Sequence, residues 1–161
     1  MRGDGPFARR VESELNTVRE SLLQMAGRVE QMIAESSRAL VQRDVELARR
    51  IIELDQEVNR YEIETDELCL QVLAKGQLAA ASLRFVTLAM KMVTDLERIA
   101  DLAVNICERA IDLAGAEGIV VHPDLPSMSV RVQEMVHLAI DAFVDRDVSK
   151  AREVIARDDE V

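Results

Sequence analysis

From Val11 to Leu40 the positions Val11, Leu15, Val18, Leu22, Met25, Val29, Met32, Ser36 and Leu40 recur at intervals of three and four residues without interruption. A stripe of that period belongs on one face of a helix and needs partner helices along its whole length to cover it. Pro6 suits the first helical turn, with Asp4 or Gly5 as the cap. The helix is expected to run to about Arg43, more than ~50 Å at about 1.5 Å per residue.

The same reading extends along the chain. Asp44 caps a second helix whose core edge is Leu47, Ile51, Leu54, Val58, Tyr61, Thr65, Leu68 and Val72, ending at Gly76. A third opens near Ala80 or Ser82 and carries Leu83, Leu88, Met92, Ile99, Ala103, Ile106 and Ala110 to about Gly115. After a Gly- and Pro-containing stretch, Ser127 is the expected cap of a fourth helix through Met128, Val132, Met135, Ala139 and Ala142. Asp147 then caps a fifth that is still running at Val161. Aromatic residues are only 2% of the chain, and three prolines and six glycines punctuate it, so long helices are favoured over strands. The expected class is all-α.

Displacing the sequence by 103 positions aligns it with itself. Met25, Arg28, Val29 and Met32 fall on Met128, Arg131, Val132 and Met135, and the run Arg43-Asp44-Val45 falls on Arg146-Asp147-Val148. Fifteen of the 34 positions from 25 to 58 are identical without a gap, a correspondence that marks a duplicated three-helix unit. The expected organisation is a first bundle over 1–115, a linker over 116–127, and the first part of a second bundle over 128–161. The second copy stops inside its second helix, so the chain reads as incomplete; the alternative is a helix borrowed from a second subunit.

Thirty acidic against 20 basic side chains leave a net charge of −10, which argues against a phosphate-backbone partner and hence against nucleic-acid binding. The N-terminus lacks the apolar stretch of a signal peptide, and the longest uncharged run, Gly76 to Leu83, is far short of a membrane span. Cys69 and Cys107 form no Cys-x-x-Cys pair and read as reduced thiols, and His122 and His137 are too far apart to propose a zinc site. A cytoplasmic location is expected, as is a homodimer, with membrane association only through partners.

Between Glu53 and Glu67 seven acids face Arg60 alone, a local sum of −6. Asp55, Asn59, Glu62 and Asp66 share one narrow stripe of the second helix, and like charges so spaced repel unless a cation neutralises them. On the third helix Glu97 and Asp101, with Thr94, Asn105 and Glu108, share a face with Val86, Met90, Val93 and Val104, which places that helix centrally. With the two helices levelled about a short turn, Asp55 comes opposite Asp101 and Asn59 opposite Glu97. Such oxygen donors suit Mg²⁺, Ca²⁺, Mn²⁺ or ferric iron better than zinc, and the absence of Glu-x-x-His excludes the usual di-iron oxidase set. On spacing alone a solvated acidic face paired with Arg98, Arg60 and Arg109 is favoured. Asp95 is expected on the core side, bonded within the bundle.

The segment Leu83-Arg84-Phe85 through Asp95-Leu96-Glu97-Arg98-Ile99-Ala100-Asp101-Leu102-Ala103-Val104-Asn105-Ile106 resembles the third-helix signature of the PhoU family of bacterial phosphate-signalling regulators. Leu54-Asp55-Gln56-Glu57-Val58-Asn59 resembles its second-helix motif, and the duplication resembles its tandem three-helix bundles. The resemblance covers the chain from about Leu15. It implies a negative regulator of the phosphate-starvation response, acting between the cytoplasmic subunits of the phosphate ABC transporter and a PhoR-like sensor histidine kinase. It also implies acid-x-x-x-acid motifs that bind multinuclear metal clusters, often of iron. Glu97 and Asp101 match that motif, Asp55 and Asn59 are their level partners, and Glu62 and Asp66 form a further pair. The second copy departs from the pattern, having only Asp158 and Glu160.

Two functions follow as expectations. The first is a non-enzymatic adaptor, in line with the absence of a Ser-His-Asp set, a phosphate-cradling Gly loop or a Cys-His pair. The alternative is a carboxylate-bridged, metal-dependent phosphoesterase with water activated between metals, or a metal-binding helical bundle protein. Phosphate itself is not expected to bind, since no basic anion pocket is apparent.

Overall fold

The computed structural model describes residues 5–161, and among them every regular element is helical. α1 spans Pro6–Gln42, α2 Val45–Ala74, α3 Ala80–Ala114, α4 Leu125–Asp145 and α5 Val148–Arg157, followed by a 3-10 turn over Asp158–Glu160. Gly5 occupies the cap position of α1 with Pro6 in its first turn; the alternative cap Asp4 lies outside the described residues.

The repeat is visible in the turns. Arg43 closes α1 in the left-handed conformation at φ 54°, and Arg146 closes α4 at φ 56°. Behind each, the Asp N–H bonds back to an alanine carbonyl: Asp44 to Ala39 at 2.9 Å, Asp147 to Ala142 at 2.8 Å. The Asp side chains then cap the following helices, Asp44 accepting from the Leu47 N–H and Asp147 from those of Ser149 and Lys150. One Arg-Asp turn thus builds both hairpins, the left-handed residue sealing one helix and the acid starting the next.

α1, α2 and α3 pack on one another around a core that includes Leu15, Leu22, Met25, Met32, Ile51 and Val86, each under 2% exposed. Ser21 and Thr65 share a buried hydrogen bond of 2.6 Å across α1 and α2, and Thr65 also donates to the Tyr61 carbonyl, so the buried hydroxyls are satisfied. α4 lies antiparallel against α1: the Ser129 hydroxyl donates to the Ile33 carbonyl near its start, and Phe143 reaches the Phe85 ring near its end. α5 packs on α4 alone.

Three sequence expectations need correction. Ser127 lies inside α4, where its hydroxyl bonds the Asp124 carbonyl; the helix begins at Leu125 with Pro126 in its first turn, where a missing N–H costs nothing. α5 gives way to the 3-10 turn at Asp158. The buried stripe of α3 is Phe85, Val86, Ala89, Val93, Leu96, Ala100, Ala103, Cys107 and Ala110, while Leu83 and Leu88 are 46% and 44% exposed. α3 is indeed apolar on two sides, and the side running from Phe85 to Ala110 is the one that packs on α1 and α2.

Candidate carboxylate site on α2 and α3

The short turn after Ala74 levels α2 against α3, and Asp55 and Asp101 come within electrostatic reach of each other. The Asn59 amide donates to Asp55 Oδ2 at 2.9 Å, while Asp55 Oδ1 is buried without a hydrogen-bond partner. Burial pushes the Asp55 carboxyl above the ordinary range, the Asn59 hydrogen bond pulls it back, and the Asp101 charge raises it further. Glu97 is likewise raised, first by desolvation and then by Asp101, Glu62 and Asp55. Asp55, Asn59, Glu62, Glu97 and Asp101 therefore act on one another as a single cluster. All are half-buried except Asp101, which is exposed.

Asp66 stands apart. It borders a separate depression with Met90, Lys91, Thr94 and Asp95, and its Oδ1 is also buried and unpartnered. Asp95, expected on the core side, is exposed and without a bonded partner among the described residues. Four residues along α3 from Lys91, it belongs to the rim between α3 and α4.

The ion pairs that would mark a solvated acidic face are absent. Among the described residues no Lys or Arg forms an ion pair with Asp55, Glu62, Asp66, Glu97 or Asp101. Arg109 pairs instead with Asp112 at 2.8 Å along its own helix, and Arg28 takes Glu57 at 2.8 Å. An orphaned buried carboxylate oxygen beside three further acids is costly unless a proton or a cation arrives. The donor chemistry therefore fits a hard cation. As the side chains stand, no three His, Cys, Asp or Glu groups among the described residues converge into a ready ligand set, so occupancy would require their rotation.

The two thiols take no part. Burial holds both pKa values at about 11, with Asp66 adding to the effect at Cys69, and both remain protonated at neutral pH. One contact escaped sequence reasoning altogether: Arg43 donates through Nη1 to the Ala116 carbonyl at 2.9 Å and through Nη2 to that of Ile119, pinning the segment after α3 to the end of α1. Its only trace in the sequence is the repeated Arg-Asp pair.

Comparison with known proteins matches residues 22–110 and 125–161 to the PhoU domain family. The chain is 35% identical over 148 residues to a phosphate-specific transport system accessory protein PhoU homolog of Aquifex aeolicus, covering 92% of this chain and 67% of that protein. It is 34% identical over 149 residues to the phosphate-specific transport system accessory protein PhoU of Escherichia coli, covering 92% and 62%. The crystal structure of PhoU from Pseudomonas aeruginosa superposes with a TM-score of 0.86 at 37% identity, covering 92% of this chain and 72% of that one. The chain thus spans roughly two thirds of the length of these relatives. No helix among the described residues is long and apolar enough to cross a membrane.

Proposed function

The chain belongs to the PhoU family, and we propose that it is an accessory protein of phosphate uptake that works as a non-enzymatic adaptor. In this reading it docks on the cytoplasmic subunits of the phosphate ABC transporter and on a PhoR-like sensor histidine kinase, and holds the phosphate-starvation response off when phosphate is plentiful. The observation that carries it is the match of both repeats to a family whose members are named accessory proteins of the phosphate-specific transport system. Regulation of this kind requires that the adaptor bind two states of its partner with different affinity.

The carboxylate cluster supports a metal-dependent form of that adaptor. Asp55, Asn59, Glu62, Glu97 and Asp101 would hold iron, Mn²⁺ or Mg²⁺, with Asp66 as a separate acid and zinc disfavoured by the donor set. A bound cation would neutralise the α2–α3 face and so change what that face can approach.

The test is repression of a phosphate-starvation reporter in a bacterium deleted for its own PhoU homologue, alongside binding of the purified chain to the transporter and kinase domains. Restored repression with measurable binding is expected. A folded chain that binds neither partner at any phosphate concentration would sink the adaptor reading.

A further inference from the structure

α2 buries one side and leaves the other bare. Ile51, Val58, Thr65, Cys69 and Val72 face the core, and among the described residues the helix packs only on α1 and α3. On the opposite side, at about 100° per residue, run Gln56, Arg60, Ile63, Glu67, Leu70 and Ala74, all of them exposed. Ile63 is 61% exposed and Leu70 56%, and they are the two exposed large hydrophobic side chains of this helix. They lie two turns apart on one line, about 10 Å at ~1.5 Å per residue. An exposed apolar residue standing singly is ordinary, whereas two at the same heptad position form a seam on which a second helix can pack.

The seam runs between two acidic flanks. Glu62 and Asp66 border it on the side of α3, Glu53 and Glu64 border it on the side of α1, and Glu67 stands within it. None of these five acids forms an ion pair with a Lys or Arg among the described residues, whereas Glu57 is held by Arg28 of α1 at 2.8 Å. The five are therefore available to a charge from outside the fold. A second copy of the chain does not suit this face, because it would set the acid run from Glu53 to Glu67, with Arg60 as its one base, against itself.

We propose that the outer face of α2 is a docking surface for a basic amphipathic helix of a partner protein. The apolar line of that helix covers Ile63 and Leu70, and lysines or arginines on both sides of the line reach the two acidic flanks. Charge steers and orients the encounter, while the covered seam slows dissociation. Arg60 is the one base on the face and opposes such a partner, so its removal should improve binding. The inference rests on the adaptor reading only in that it supplies the chemistry of a protein partner.

The probe is a synthetic amphipathic helix of about three heptads, with leucine at the seam positions and lysine elsewhere, labelled with a fluorophore and titrated into the purified chain in chelator. One-to-one binding is expected, weakening as salt is raised, and a counterpart with glutamate in place of every lysine should not bind. The pair Ile63→Ser and Leu70→Ser, and separately the pair Glu64→Lys and Glu67→Lys, should each weaken binding by about tenfold or more, while Arg60→Glu should strengthen it about threefold. All five positions are exposed, and circular dichroism checks that the variants remain folded. Three results would overturn the proposal: no binding of the basic peptide; equal binding of its acidic counterpart; or binding that survives the Ile63→Ser and Leu70→Ser pair but is lost with Leu88→Glu, which would seat the peptide between α3 and α4. Restored repression of the phosphate-starvation reporter together with no peptide binding would reject this surface and leave the adaptor reading standing.

Discussion

Phe85 of α3 and Phe143 of α4 stack with ring centroids 5.1 Å apart and planes 16° from parallel, and the Arg19 guanidinium of α1 lies 4.7 Å above the Phe85 ring. Three helices meet at this stack, which is the direct bridge between α3 and the second repeat. An aromatic pair contributes about 0.5–1.5 kcal/mol beyond its buried area.

Phe143→Ala is therefore expected to cost about 2 kcal/mol, taking a half-buried ring at roughly half the usual core penalty. The loss is local: amide exchange should quicken through α4 and α5 while α1–α3 keep their protection. Uniform acceleration across all five helices would contradict the clasp.

The carboxylate cluster gives the protein a characteristic pH dependence. Asp55 and Glu97 have raised folded pKa values, first through desolvation and then through their acidic neighbours, so the folded protein binds protons more readily than the unfolded chain there. Just above the ordinary carboxylate range, stability attributable to these groups rises as pH falls and is lost as pH rises towards neutrality. In chelator, Glu97→Gln should raise the melting temperature at pH 7 and flatten its dependence on pH just above the ordinary carboxylate range. A variant less stable than wild type at pH 7 would show that the charge is already compensated.

A cation should do at pH 7 what protonation does in acid. Added Mn²⁺ or ferric iron is expected to raise the melting temperature by several degrees, the gain following metal concentration relative to its dissociation constant. Asp101→Asn should remove most of that gain, and elemental analysis should find less metal on the variant. An equal gain in both proteins would place the ion elsewhere.

Helical register was legible in the sequence because it follows from local chemistry. Asp44 and Asp147 announce their helices, and the three-and-four spacing announces their buried faces; the short turn at Gly76 is enough to bring Asp55 level with Asp101. The choice between the two apolar sides of α3 was not legible. Leu83 and Leu88 are strongly hydrophobic candidates, yet they are exposed, and the buried side mixes Phe85, Val86, Val93 and Leu96 with four alanines and Cys107. Nor could the sequence show Arg43 reaching Ala116, a contact 73 residues distant, or the exposed position of Asp95. The missing ion pairs at the acidic site were equally invisible: Arg60 and Arg98 are near in sequence, yet both are exposed and neither pairs with these acids among the described residues.

Gly27 offers a control remote from all of this. It sits within α1, exposed, and a methyl group added there would meet nothing within 4 Å. Gly27→Ala should stabilise the protein by about 0.5–1 kcal/mol through helix propensity alone. Chemical denaturation should show a higher midpoint at unchanged slope; a lower midpoint would reveal a surface contact at that position.

The order in which the helices lean on one another also sets an order of assembly. α1, α2 and α3 bury each other, α4 rests on α1, and α5 rests on α4. During synthesis the first three helices leave the ribosome before the last two, and they already possess their own interior. The second repeat thus arrives at a template whose interior is already formed. Among the described helices α5 touches only α4, so within residues 5–161 local opening should begin at α5 and spread inward through α4.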